Sequence, residues 1–177
     1  SGQIFEIGYG MYTKLLSKAI NQLKVKKIRK ERNHIDIDAY ISTLIPQDYI
    51  EDIFLRLEFY SDISNTTNEY EINQIITKLN DIYGPIPEYL ENLLDLTRVR
   101  IQASYINAEK VKINKDNTII TLNDNSTVNN EKLINDYVMN NKIKIVNKYN
   151  LKYKNTTDES FKEICCNVIN VIQSITV

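Results

Sequence analysis

Asn107-Ala108-Glu109-Lys110-Val111-Lys112-Ile113-Asn114-Lys115-Asp116-Asn117-Thr118-Ile119-Ile120-Thr121-Leu122 is where the chain changes period. Val111 and Ile113 alternate with Lys110, Lys112 and Asn114, the period of two that marks a half-buried strand. Asp116-Asn117 supplies two residues that tolerate a positive φ, which predicts a two-residue hairpin turn there. Residues 118–122 then return as the second strand. Most of the chain before this hairpin reads as helical and much of the chain after it reads as strand, so the class is α+β.

Downstream, Asn129 or Asn130 is placed to cap a short helix through Leu133, Ile134, Tyr137 and Val138. Residues 142–146 and 151–153 read as two more short strands. Thr157 or Asp158 caps a last helix with the stripe Phe161, Ile164, Cys165, Val168, Ile169 and Ile172.

Upstream, three helices are predicted. Ile50, Ile53, Phe54, Leu57 and Tyr60 form the first stripe. Thr67 or Asn68 caps the second, which carries Ile72, Ile75, Ile76, Leu79 and Tyr83, ends at Gly84 as a C′ glycine, and is stopped by Pro85. Pro87 opens the third at its first position, with Leu90, Leu93, Leu94, Thr97, Ile101 and Tyr105 on one face. Before these, Ile35, Ile37, Ala39 and Ile41 alternate with Asp36, Asp38, Tyr40 and Ser42, an extended segment or edge strand closed by Pro46. Tyr12, Leu15, Leu16, Ala19, Ile20 and Leu23 form a further helical stripe near the start. The predicted architecture is a helical N-terminal part followed by a small, mainly antiparallel sheet with flanking helices. Residues 1–33 read as a helical arm and 34–177 as the main α+β domain, helical over 50–106 and β-rich over 107–177.

Composition narrows the function classes. The chain has 177 residues, 22 Lys+Arg against 23 Asp+Glu, one His, two Cys and four Gly. A near-neutral total argues against a bulk electrostatic attraction to nucleic acid or anionic membrane. One His and two adjacent Cys cannot build a four-ligand zinc site. Four glycines leave almost nothing for a phosphate-cradling loop, and no G-x-x-x-x-G-K-[ST] is present. No apolar run approaches the roughly 20 residues that span a bilayer, and the first residues lack the features of a signal peptide. Cys165 and Cys166 are sequence neighbours and poorly placed to pair, so a cytoplasmic protein with reduced thiols is expected.

Three residue groups invite a chemical reading. Lys24 to Arg32 forms a basic cluster, read as a helix end running into an exposed linker in preference to a nucleic-acid patch, because no aromatic interleaves it. Asp36 and Asp38 form a carboxylate pair, read as the solvated face of a strand in preference to a metal site. Cys165 lies on an apolar stripe, read as a buried structural thiol and not a nucleophile. His34, the single His, has no catalytic partner nearby in sequence. No catalytic, metal or cofactor site can be assembled.

Several strings, in order, resemble the C-terminal region of the bacterial transcription-repair-coupling factor family. Ser1-Gly2-Gln3-Ile4 with Ile7-Gly8-Tyr9 and Tyr12…Leu15-Leu16 resembles the segment just after that family's helicase motifs. Asp38-Ala39-Tyr40-Ile41 followed by Ile45-Pro46-Gln47-Asp48-Tyr49-Ile50 resembles its D-A-Y-I-P-x-D-Y-I region, with Ser42-Thr43-Leu44 as an insertion. Arg56-Leu57-Glu58-Phe59-Tyr60 and Asp81-Ile82-Tyr83-Gly84-Pro85-Ile86-Pro87 resemble R-L-x-L/F-Y and D-R-F/Y-G-P-L/I-P, with Ile82 in place of the usual Arg. Asn92-Leu93-Leu94 and Arg98 to Ile101 resemble the following helix. Beyond residue 106 only the order of elements agrees.

The resemblance implies a non-catalytic regulatory domain of a cytoplasmic, ATP-driven double-stranded DNA translocase acting in transcription-coupled excision repair. ATP and magnesium would belong to the parent motor and not to this fragment. The implied partners are the N-terminal UvrB-like region of the same protein, whose UvrA-binding surface the domain would cover, and, for the parent, RNA polymerase, UvrA and double-stranded DNA. The implied interdomain contact is Asp81 with Tyr83, Gly84 and Pro85; for Asp81 a solvated helix-end carboxylate is the equal alternative. Competing readings are a generic interaction domain unrelated to repair, a small enzyme using Asp36, Asp38 or Cys165, and a DNA-binding module using Lys24 to Arg32.

Overall fold

The computed structural model describes residues 35–177. His34, the Lys24–Arg32 cluster and the stripe from Tyr12 to Leu23 lie outside the described residues. The described chain forms two units. The first comprises residues 41–97, and the second joins residues 35–40 to 98–177.

The first unit is helical. Asp52 caps α1 (Ile53–Asn65), its carboxylate accepting from the Phe54 and Leu55 amides at 2.7 and 3.3 Å. That cap starts the helix at Ile53 and leaves Ile50 in the preceding loop, buried. The predicted α1 stripe is rotated in the structure. Phe54 is 78% exposed, whereas Arg56, Phe59, Tyr60 and Ile63 are buried. Arg56, only 2% exposed, reaches back to donate to the carbonyls of Ile50 and Glu51. A hydropathy stripe cannot show this, because it counts Arg as a surface residue. Asn68 caps α2 (Glu69–Tyr83) by accepting from the Glu71 amide at 3.0 Å, and Glu71 returns a carboxylate to the Thr67 amide. α3 (Glu88–Ser104) begins one residue past Pro87, whose carbonyl accepts from Leu90 and Glu91. Leu90, Leu93, Leu94, Leu96 and Thr97 are all buried, so this stretch is covered on most of its circumference.

The second unit takes residues 98–104 of α3. The helix stops at a left-handed Asn107, with the Ala108 amide donating to Ala103 and the Asn107 amide to Ser104, a Schellman ending made by Asn instead of Gly. Tyr105, predicted on the apolar stripe, is 56% exposed in this terminal turn. The sheet contains β1 (Asp36–Ala39), β2 (Lys110–Ile113), β3 (Asn117–Thr121), β4 (Ile143–Ile145) and β5 (Asn150–Lys154), in the order β1-β2-β3-β5-β4. β1 is an edge strand, as its alternation predicts, and runs parallel to β2; the other pairs are antiparallel. Ile37, Val111, Ile113, Thr118, Ile120, Leu151 and Ile143 lie on the buried face.

The β2–β3 turn is shifted by one residue from its predicted place. Ile113 pairs with Thr118 and the Asn114 amide donates to Asn117, so the two loop residues are Lys115 and Asp116, neither with positive φ. The buried Asn155 holds this turn from outside the hairpin. Its amide nitrogen donates to the carbonyls of Asn114 and Lys115 at 2.8 and 3.3 Å, and its oxygen accepts from Thr118 at 3.0 Å.

A single turn, α4 (Asn130–Lys132), capped by Asn129, runs into a π-helix over Leu133–Val138. The wider winding leaves Ile134 exposed and only Leu133 buried from the predicted stripe. α5 (Phe161–Ser174) is capped by Ser160, which forms a reciprocal capping box with Glu163, and not by Thr157 or Asp158. Asp158 instead takes a left-handed conformation that turns the chain ahead of the helix. Phe161, Ile164, Cys165, Val168, Val171 and Ile172 are buried, Val171 replacing the predicted Ile169. The Tyr40 ring sets its edge against Phe161, with centroids 6.0 Å apart.

Candidate interaction surface

The residues Asp81, Tyr83, Gly84 and Pro85 stand at the C-terminal end of α2. Gly84 adopts φ 84° and ψ −162°, a conformation essentially reserved for glycine, and its amide closes the helix on the Asn80 carbonyl at 3.0 Å. A Cβ at this position would meet nothing within 4 Å, so the need for glycine is one of backbone and not of space. The Tyr49 hydroxyl donates to the Gly84 carbonyl at 2.8 Å, with the Leu79 carbonyl at 3.3 Å beside it. Burial, and then the neighbouring Tyr83, raise the pKa of Tyr49, which keeps this hydroxyl protonated as a donor.

An aromatic set fixes the turn. The Tyr49 and Tyr83 rings lie 5.6 Å apart, Tyr83 meets Phe59 edge-on at 6.1 Å, and the Lys78 ammonium sits 5.1 Å above the Phe59 ring. Tyr83 is therefore half-buried packing, while Asp81, Ile82 and Pro85 project outward. Ile82 is 57% exposed. The same outer face of α2 continues through Lys78, Thr77 and Gln74 to Tyr70, which is 71% exposed, and forms a shallow open groove. Sequence reading misses Tyr49, Phe59, Tyr70 and Lys78 as parts of this surface. The available signal is charge counted by segment. Residues 41–97 contain eleven Asp+Glu and two Lys+Arg, a net charge of −9. Of those two cations Arg56 is buried, while Lys78 is exposed over the Phe59 ring and lines the groove beside Asp81, so the negative charge belongs to the segment as a whole.

The other residue groups fall elsewhere. Asp36 and Asp38 lie on the solvent face of β1. Asp36 pairs with Lys110 at 3.2 Å, and Asp38 accepts from the Ala39 amide at 2.9 Å. Cys165 is buried in α5 and Cys166 is exposed. Among the described residues no group of three or more His, Cys, Asp or Glu is placed to hold a metal ion, and no helix is long and apolar enough to cross a membrane.

A family model described as the TRCF domain matches residues 39–133. The chain is 36% identical over 138 residues to the transcription-repair-coupling factor of Buchnera aphidicola subsp. Acyrthosiphon pisum, covering 76% of this chain and 17% of that one. It is 30% identical over 151 residues to the factor of Rickettsia typhi (84% and 14% covered), and 30% identical over 133 residues to that of Escherichia coli K12 (73% and 12% covered). A crystal structure of the C-terminal domain of transcription-repair coupling factor superimposes with a TM-score of 0.61 at 16% identity, covering 81% of this chain and 94% of that chain; at this identity the likeness is one of fold.

The α+β architecture and the matched segment define a TRCF domain, and the chain belongs to that family. Within it, the chain corresponds to the C-terminal domain of a transcription-repair-coupling factor. The chain spans less than a fifth of the length of these curated relatives.

Proposed function

We propose that this domain is non-catalytic and regulatory. It docks through the acidic α2 surface around Asp81 onto the N-terminal UvrB-like region of its own parent. There it covers the UvrA-binding surface and restrains an ATP- and magnesium-dependent duplex-DNA motor until stalled RNA polymerase is engaged. The observation that carries this reading is the Asp81–Pro85 turn, held by Tyr49 within a segment, residues 41–97, of net charge −9. A surface of one sign selects a partner of the other and penalises like-charged ones.

The mechanism is mass action within one molecule. A tethered domain meets its partner at high effective concentration, so a modest interface holds the closed state. A competing contact that favours the open state by a few kcal/mol then releases it. The test is the ATPase rate of the full-length parent without RNA polymerase. Asp81→Lys is expected to raise that rate by weakening the closed state. An unchanged rate, with the variant folded as the parent is, overturns the reading.

A further inference from the structure

The strand alternation that buries Val111, Ile113, Ile120 and Leu151 sends another set of side chains to the opposite face of the sheet. The register places Asp38, Lys112, Ile119, Lys152 and Lys144 in one row across all five strands, with Lys154 two residues beyond Lys152 on β5. At a strand spacing of about 4.8 Å, Lys112 and Lys144 stand roughly 14 Å apart. Lys112, Lys144, Lys152 and Lys154 are all exposed, and none has an ion-pair partner among the described residues. The carboxylates of this face are confined to β1 at its edge: Asp36 is held by Lys110, and Asp38 by its neighbouring amide. Lys148, by contrast, is tied to Asp124 and Tyr149 in a loop.

We propose that this sheet face is a sequence-independent contact surface for the phosphate backbone of duplex nucleic acid. Four lysines with a single half-buried Ile119 among them lack the aromatic or Arg anchors and the apolar centre of a protein interface, where Lys is depleted. The one aromatic in these strands, Tyr153 of β5, is in register with Thr118 and Ile143 on the opposite face, so this face offers no stacking platform for single strands. It carries no apolar wedge for a bilayer. Flexible ammonium groups suit phosphates as point charges, and about 14 Å of duplex axis presents roughly eight phosphates. The near-neutral total charge of the chain conceals this patch, which exists only once the register aligns four separated lysines. The inference stands independently of the regulatory reading.

The test is fluorescence anisotropy of the 177-residue chain with a short, labelled, random-sequence DNA duplex, titrated from ~50 to ~200 mM salt. The triple variant Lys144→Gln, Lys152→Gln, Lys154→Gln is expected to weaken binding at least about tenfold at ~50 mM salt and to flatten the plot of log K against log salt by about 3. The corresponding triple Arg variant is expected to keep the affinity, which separates charge from any loss of structure. Lys24→Gln, Lys26→Gln, Lys27→Gln serves as the control for the other basic cluster, and a slope component set by the sheet lysines is expected to survive in it. The proposal is overturned if the sheet Gln variant binds as the parent chain does. It is equally overturned if the sheet lysines govern binding to phosphatidylserine vesicles or polyglutamate while the duplex does not bind.

Discussion

The two units of this chain solve the same problem with opposite chemistry. Residues 41–97 carry a net charge of −9, whereas residues 35–40 with 98–177 contain twelve Lys+Arg and ten Asp+Glu. The helical unit satisfies its buried carbonyls and amides with long side chains that reach across loops: Arg56 to Ile50 and Glu51, Tyr60 to Ile45, Tyr49 to Gly84. The sheet unit uses short carboxamides and hydroxyls, as in Asn155 with Thr118 beside the β2–β3 turn and Thr121 with Asn150 across β3 and β5. A single total charge and a single hydropathy average hide both differences. On the proposals above, residues 41–97 would meet a basic protein partner and the lysine-bearing sheet a polyanion.

The comparison breaks first at Arg56. Arg56→Met keeps the aliphatic stem but leaves the Ile50 and Glu51 carbonyls without their donor. A loss of about 3 kcal/mol in urea unfolding followed by circular dichroism is expected. A loss below about 0.5 kcal/mol would show that the helical unit does not depend on long-range donors.

Tyr60 gives the next effect. Its hydroxyl is buried, which pushes its pKa up to about 12, against lowering by the Ile45 amide and Arg56. The folded state therefore favours the neutral phenol. Its stabilising contribution is complete below pH ~10 and is lost as pH rises toward ~12, by up to about 2.7 kcal/mol for a shift of two units. Tyr60→Phe is expected to flatten stability over that interval while costing about 1–2 kcal/mol at neutral pH, because the Ile45 amide loses its acceptor. An unchanged alkaline slope would show that Tyr60 does not set it.

In the sheet unit, Asn155→Ala removes the clamp from the β2–β3 turn, with an expected cost of about 2 kcal/mol. Amide exchange should accelerate at Asn117 and Thr118 before the rest of β3. Uniform acceleration would mean that the turn is not separately held. The smallest effect belongs to Gly84→Ala. With open space around a Cβ, only backbone strain acts, and about 1–2 kcal/mol is expected. A larger loss would point to disruption of the Tyr49 hydrogen bond.

Where local rules decide, the sequence is readable. The cap of α2 at Asn68, the stop at Gly84-Pro85, the cap at Asn129 and the solvated carboxylates of β1 follow from single residues and their immediate neighbours. The failures share a cause. Hydropathy puts Phe54 inside, yet Arg56 is buried there, because loop carbonyls reward a guanidinium that hydropathy scores as exposed. A cap at Thr157 or Asp158 starts α5 too early because Asp158 is a turn residue, while the reciprocal Ser160–Glu163 pair lies two residues on. The π-helix defeats any stripe drawn at 3.6 residues per turn. As for the surfaces, Asp81–Pro85 can be named from a string, but its anchors Tyr49 and Phe59 are distant in sequence. The lysine face requires the strand register, since alternation assigns a face within one strand and not which residues neighbour it across the sheet.

The most direct test of the regulatory account is a binding titration of this chain, in trans, against the N-terminal UvrB-like region of its own parent. Saturable binding is expected, weakened by rising salt and reduced about tenfold or more by Asp81→Lys, a change of roughly 1.4 kcal/mol or greater. Absence of binding at high micromolar concentration, or binding indifferent to Asp81→Lys, would contradict it.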